Sequence, residues 1–213
     1  MTERSQGNFR EVRVMSIAGT PLGRRERNKQ AKLDRVITAA GELFAEHGID
    51  QVTTQQIADR ADIGAGTLFL YAKSKAELLL LVQNVHYAEA LERGRAEAAE
   101  TRGTLDAVMA IVRPIVECNR TQVENGRVYL REVAFGDPAQ PRHAEALAIV
   151  ATTQEAIAEI LGREGRVEVG SAETLARVVS AIMFLTMASG PTTGLGTDDV
   201  VQDIRQQINA VLP

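Results

Sequence analysis

The sequence predicts an all-α protein: an N-terminal three-helix helix-turn-helix unit followed by a larger helical domain. Three observations carry this. Apolar residues make up 45% of the 213, but aromatics only 4%, with no Trp and abundant Ala, Leu, Val and Ile; that mix suits helix-on-helix packing. Apolar positions recur at helical spacing, and no run alternates as a half-buried strand would. Gly, Pro and Asn clusters divide the chain into helix-sized pieces.

Residues 1–23 lack periodicity and contain Gly7, Gly19, Pro21 and Gly23. They read as a flexible tail, and Met15 is an alternative start. From Arg25 to His47 the apolar face is Leu33, Val36, Ile37, Ala40, Leu43 and Phe44, with Gly48 placed as a C-cap. Thr53 and Gln56 make a capping box for a short helix to Ala61. Asp62 and Ile63 turn the chain, and residues 65–71 form another short helix. Ser74 and Glu77 make a second capping box for a long helix to about Arg95. Further helices are expected over 104–124, 127–135, 139–162, 171–189 and 197–211. The breaks fall at Gly103, Asn125-Gly126, Gly136-Asp137-Pro138, Gly162 to Gly170, and residues 190–196. Domain boundaries follow: a tail over 1–23, a helix-turn-helix domain over 24–73, and a second domain over 74–213.

Two short helices joined by a tight turn suggest a helix-turn-helix. Ala58 is small where the helices cross, Asp62 tolerates a left-handed turn residue, and Ile63 and Leu68 plug the space between them. Gly64 and Gly66 flank Ala65 where the second helix begins. A Gly inside a helix costs about 1 kcal/mol relative to Ala. The reason for two of them here is a partner that approaches the backbone too closely for side chains. In this motif the start of the second helix faces base edges in the major groove, where Thr67 offers a hydroxyl and a methyl.

Charge agrees. Residues 1–80 hold 12 Lys/Arg against 10 Asp/Glu, and residues 81–213 hold 12 against 18. The excess is sharpest at Arg24, Arg25, Arg27, Lys29, Lys32 and Arg35, set against Glu26 and Asp34. A basic start on an acidic body fits a polyanionic partner at one end.

Residues 33–79 resemble the DNA-binding domain of the TetR family of bacterial regulators. The likeness is carried by "ITAAGELFAEHGIDQVTTQQIADRADIGAGTLFLYAKSKAELL": the Ala-Phe-Gly pattern closing the first helix, Thr-Thr opening the second, Ile-Ala, Gly-Thr-Leu, and Lys-x-x-Leu in the fourth. It implies a transcriptional regulator, most often a repressor, that binds double-stranded operator DNA. Thr53 and Thr54 would meet phosphates, and Gln55 bases or backbone. Ala65, Gly66, Thr67 and Leu70 would face the groove, and Lys75 would hold a phosphate. The chain departs from the family where Asp62 replaces the usual Gly and Ala72 the usual Phe. Phe69 replaces the usual Tyr without its hydroxyl, which Tyr71 is placed to supply.

The resemblance also implies a homodimer joined by the last two helices and a small-molecule effector in the second domain. The helix over 171–189 is apolar on more than one face, which calls for two coverings. The expected interface is Ala176, Met183, Phe184 and Met187, with Val201, Ile204 and Ile208 from the last helix. The expected pocket lies near Pro114, which removes one helical hydrogen bond. It comprises Met109, Val112, Arg113, Val116, Tyr129 and Phe135, and suits an apolar or amphipathic molecule.

Other classes fit less well. The single cysteine, Cys118, excludes an intrachain disulfide and a Cys-based zinc site, and suits a reducing cytoplasm. His47, His86 and His143 suggest no catalytic pairing with it. His143-Ala-Glu145 is not followed by Cys-x-x-Cys, and residues 190–199 lack the Lys-Ser/Thr of a phosphate loop. No metal, cofactor or catalytic residue is expected. The apolar run 178–188 is too short to span a bilayer, so no membrane partner is expected. The main alternative is a regulator of the same type controlled by a protein partner.

Overall fold

The computed structural model describes residues 23–163 and 167–212. Among these the chain has nine α-helices and no strand. They are α1 (Arg24–His47), α2 (Thr54–Arg60), α3 (Ala65–Leu68), α4 (Lys75–Glu100), α5 (Thr104–Arg120), α6 (Val123–Phe135), α7 (Pro141–Gly162), α8 (Val169–Ala188) and α9 (Thr197–Val211). Apart from Gly23, the tail over 1–23 and the start at Met15 lie outside the described residues.

Helices α1 to α3 form the head. α1 buries Val36, Ala39, Ala40, Leu43 and Phe44 and stops at Gly48, whose φ is 75° and whose N–H donates to the Phe44 carbonyl at 2.9 Å. Ile57, Ala58 and Leu68 are fully buried between the helices. Asp62 takes the turn with φ 53°, the left-handed conformation expected of it.

α4 belongs to both halves. It packs on α1 at its head end and on α5, α6 and α7 along its length. Its N-cap differs in one detail from the expected capping box. Ser74 Oγ accepts from the Glu77 N–H at 3.1 Å, but the Glu77 carboxylate takes the N–H of Lys73 rather than that of Ser74.

The closest approach in the body is between α4 and α5. A Cβ on Gly94 would lie 2.8 Å from both the Ala110 carbonyl oxygen and the Ile111 Cα. Pro114 cannot donate to that carbonyl, and the bare backbone of Gly94 lies over it. α5 runs through Pro114 as one helix.

Asn125-Gly126 is not the break expected of it. α5 ends at Arg120, and both residues sit in the first turns of α6. Gln122 caps α6, its side-chain oxygen accepting from the Asn125 N–H at 2.7 Å. Gly126 fits against the Asn119 carbonyl, where no side chain could stand.

The residues expected at the interface from α8 and α9 are instead covered by the chain itself. Ala176, Met183 and Met187 are buried by the chain's own α7, α9 and neighbours, as are Val201, Ile204 and Ile208 of α9. Phe184 is half-buried against the same core. The open apolar face of α8 carries Val178, Ala181 and Leu185, the last 64% exposed. A helix apolar all round does not declare which face its own chain covers. Over its full 20 residues α8 is also long and apolar enough, by length and composition, to cross a membrane, which the shorter run 178–188 did not indicate.

Candidate nucleic-acid interface and regulatory seam

The expected DNA-reading residues gather on one end of the head. Thr53 is exposed and caps α2: its Oγ1 accepts from the Gln56 N–H at 3.2 Å, and Gln56 Oε1 accepts from the Thr53 N–H at 2.8 Å. Thr54 is half-buried beside it, and exposed Gln55 donates to Asp59 at 2.7 Å. On α3, Ala65 and Thr67 are half-buried and Gly66 is exposed. Phe69 is 48% and Leu70 82% exposed. Leu70 faces solvent almost entirely, and half of the Phe69 ring does so beside it.

The glycines sharpen this. A Cβ on Gly64 or Gly66 would meet nothing within 4 Å, and neither has a positive φ. The protein's own packing and backbone do not require glycine at either place.

Two expected phosphate contacts are already engaged inside the protein. The Lys75 ammonium donates to the Ile49 carbonyl at 2.7 Å and to that of Asp50 at 3.3 Å, leaving one of its three donors. The Tyr71 hydroxyl lies 3.4 Å from the Lys29 carbonyl, long for such a bond. Both tie the reading end to its own scaffold.

The expected pocket residues do not come together around a space. Met109, Val112, Val116 and Tyr129 are buried in the body core, because the stripe that carries them is the face α5 turns inward. The Tyr129 hydroxyl donates to Asn84 Oδ1 at 3.1 Å, and its ring tilts against Tyr87 at 6.3 Å. Burial raises the pKa of both phenols, that of Tyr87 to about 12. Arg113 is exposed and bridges to Asp198 of α9 at 2.8 Å. Phe135 is 84% exposed at the end of α6.

A cavity of about 270 Å³ lies instead at the seam between head and body. Gly41, Phe44 and Ala45 of α1 form one wall. Leu79, Val82, Gln83, His86, Glu89 and Arg93 of α4 form another. Cys118, Thr121, Gln122 and Asn125 close it from α5 and α6. His86 keeps an edge in solvent, yet loss of hydration lowers its pKa; Glu89 pulls it up and Arg93 adds to the lowering. Burial pushes the Cys118 thiol up to about 11, so it is not a thiolate at neutral pH.

Asn125 is the link between head and body that sequence reading missed. Its Nδ2 donates to the Phe44 carbonyl at 2.7 Å, and its Oδ1 accepts from the Ile49 N–H at 2.8 Å. One buried amide thus holds both sides of the α1 terminus from the start of α6. The bonds cross 81 and 76 residues, a separation that no local pattern reveals. Among the described residues no group of three or more His, Cys, Asp or Glu is arranged to hold a metal.

A helix-turn-helix head on an α-helical body, with bare and apolar positions at one end, is an arrangement that can enter a DNA groove. Residues 36–82 match the family model described as bacterial regulatory proteins, tetR family, and over this segment the chain is similar to that family. A fatty acid metabolism regulator protein from Bacillus subtilis is 30% identical over 86 residues, 40% of this chain and 44% of that protein. The chain therefore matches less than half the length of this relative. Among solved structures, a TetR transcriptional regulator from Rhodococcus sp. RHA1 aligns with a TM-score of 0.69 at 19% identity, covering 87% of this chain and 97% of that one. FadR from Thermus thermophilus, a TetR-family repressor in complex with lauroyl-CoA, aligns with a TM-score of 0.67 at 23% identity, covering 84% and 92%. At these identities the two structures establish the fold.

Proposed function

We propose that the protein is a repressor that binds operator DNA as a homodimer and is released by a small apolar or amphipathic effector. The observation that carries DNA reading is the pair Gly64 and Gly66, which face open space and answer to no need inside the molecule. A close external partner explains them, and the surface around them offers Thr53, Thr54, Gln55, Ala65, Thr67, Phe69, Leu70, Tyr71 and Lys75. The recognition helix lacks Arg, Asn and Gln, so apolar contact with thymine methyls and DNA shape carry more of the readout.

The dimer reading rests on α8. Val178, Ala181 and Leu185 recur at helical spacing along its open face, and a second copy of α8 is the covering proposed for them. Leu185→Glu should shift the protein from dimer to monomer in sedimentation; an unchanged dimer would place the interface elsewhere. For the effector, acyl-CoA thioesters are the first class to try, because the Thermus FadR neighbour is a lauroyl-CoA complex. A 100-fold release from DNA needs about 2.7 kcal/mol of differential affinity.

The test of the reading head is a gel shift against the DNA upstream of the protein's own gene, or against sites selected from random DNA. A discrete complex that weakens steeply with salt and is lost in Gly66→Val and Thr67→Ala is expected. No complex with any DNA at low salt would overturn the reading.

A further inference from the structure

The seam cavity is unused by the reading above. It lies where α1, the backbone of the DNA-reading head, meets α4 and the start of α6. One end is apolar, with Phe44, Leu79 and Val82 all at least 97% buried. Along the other wall Glu89 and Arg93 stand one helical turn apart on α4, a spacing at which side chains are neighbours. Neither forms a hydrogen bond or ion pair with another side chain of the described protein. The site therefore offers an apolar recess beside one negative and one positive group, with His86 within electrostatic reach of both. At about 270 Å³ it falls just below the roughly 300–1,000 Å³ of sites for drug-sized ligands, a size that suits a compact molecule.

We propose that the seam cavity is a regulatory binding site for a compact amphipathic zwitterion, such as an α-amino acid with an apolar side chain, and that its occupancy acts on the DNA-reading head through Asn125. The ammonium of such a ligand pairs with Glu89, its carboxylate pairs with Arg93, and its side chain enters the recess beside Phe44 and Val82. Asn125 lines the same cavity and uses both its amide nitrogen and its amide oxygen on the end of α1. A ligand that draws on this amide, or that wedges α1 away from α4, loosens the connection that fixes the head to the body. The binding half of the proposal stands independently of the regulator reading; the coupling half rests on it.

Binding is measured first, by calorimetry on the full chain without DNA. The probes are L-leucine, 4-methylpentanoate (which lacks the amine) and 3-methylbutylamine (which lacks the carboxylate). Leucine is expected to bind at least tenfold more tightly than either analogue, and Glu89→Gln and Arg93→Gln are each expected to weaken it about tenfold. Equal binding of leucine and 4-methylpentanoate would overturn the zwitterion assignment. Ala45→Phe, at an exposed position on the cavity wall, should abolish binding while the protein keeps a cooperative thermal transition. Leucine binding that survives in Ala45→Phe, or no saturable binding by the native protein, would overturn the site. Operator affinity is then measured with and without leucine. A drop in the native protein that disappears in Asn125→Ala supports the coupling; an equal response in both overturns it. Failure to bind any DNA without leucine would sink the regulator reading and leave the calorimetric result standing.

Discussion

Two glycines of the head and two of the body stand in opposite surroundings. Gly94 and Gly126 sit where a side chain would strike backbone: Gly94 against Ala110 and Ile111, Gly126 against Asn119. Gly64 and Gly66 sit where a side chain would strike nothing. The first pair is fixed by packing within the molecule; the second is not, and the proposed reading assigns it to a partner that arrives from outside. One residue type can therefore answer to packing at one place and to no internal need at another, and only the atoms around it tell the two apart.

The widest separation between the halves should come from one pair of substitutions. Gly94→Ala forces α4 and α5 apart and should cost about 1–3 kcal/mol, the usual range for overpacking, read from urea unfolding. Gly66→Ala should leave stability equal or raise it by up to about 1 kcal/mol through helix propensity, yet weaken operator binding in the gel shift. If Gly66→Ala destabilised the fold like Gly94→Ala, the contrast would be broken.

Next in size is Asn125→Ala, which leaves the buried Ile49 N–H without its partner. It should cost about 1–3 kcal/mol, seen as a lower thermal midpoint. Thr53→Ala removes one half of the α2 capping box and should cost about 1 kcal/mol, in the same measurement. The smallest effect is expected at Asp62. Asp62→Gly relieves a left-handed residue, worth roughly 1–2 kcal/mol, but adds the chain entropy of glycine and loses the exposed pair with Arg35 at 3.1 Å. The net gain should be a few tenths of a kcal/mol. A loss would mean that the Arg35 pair matters more than exposed pairs usually do.

What could be read in advance follows the same division. The head was legible because its signals are local. The Thr53–Gln56 box spans three residues, Gly48 ends α1 by its own φ, and Asp62 turns where its side chain allows. The helix spans of the body were legible for the same reason, and α9 falls on its expected residues. Its faces were not, because Val178 and Val179 are equally apolar and only the placement of α7 and α9 buries one and exposes the other. The stripe from Met109 to Val116 looks the same whether it lines a pocket or fills a core. The Asn125 amide could not be anticipated at all: Asn-Gly is a turn signal by local chemistry, and here bonds to α1 and a close fit on Asn119 outweigh it.

The unbroken length of α4 has a mechanical consequence. Its 26 residues make a rod of about 39 Å, anchored at one end by Lys75 on the Ile49 and Asp50 carbonyls. Pivoting it about the far end by about 5° would swing the reading end through about 3 Å, by the same helix geometry. Successive major grooves lie roughly 34–36 Å apart. Two such rods deflected in opposite senses would change the span between their tips by a sizeable share of that distance. In the proposed dimer, a displacement smaller than a methyl group in the body would thus become a misfit that a DNA duplex registers.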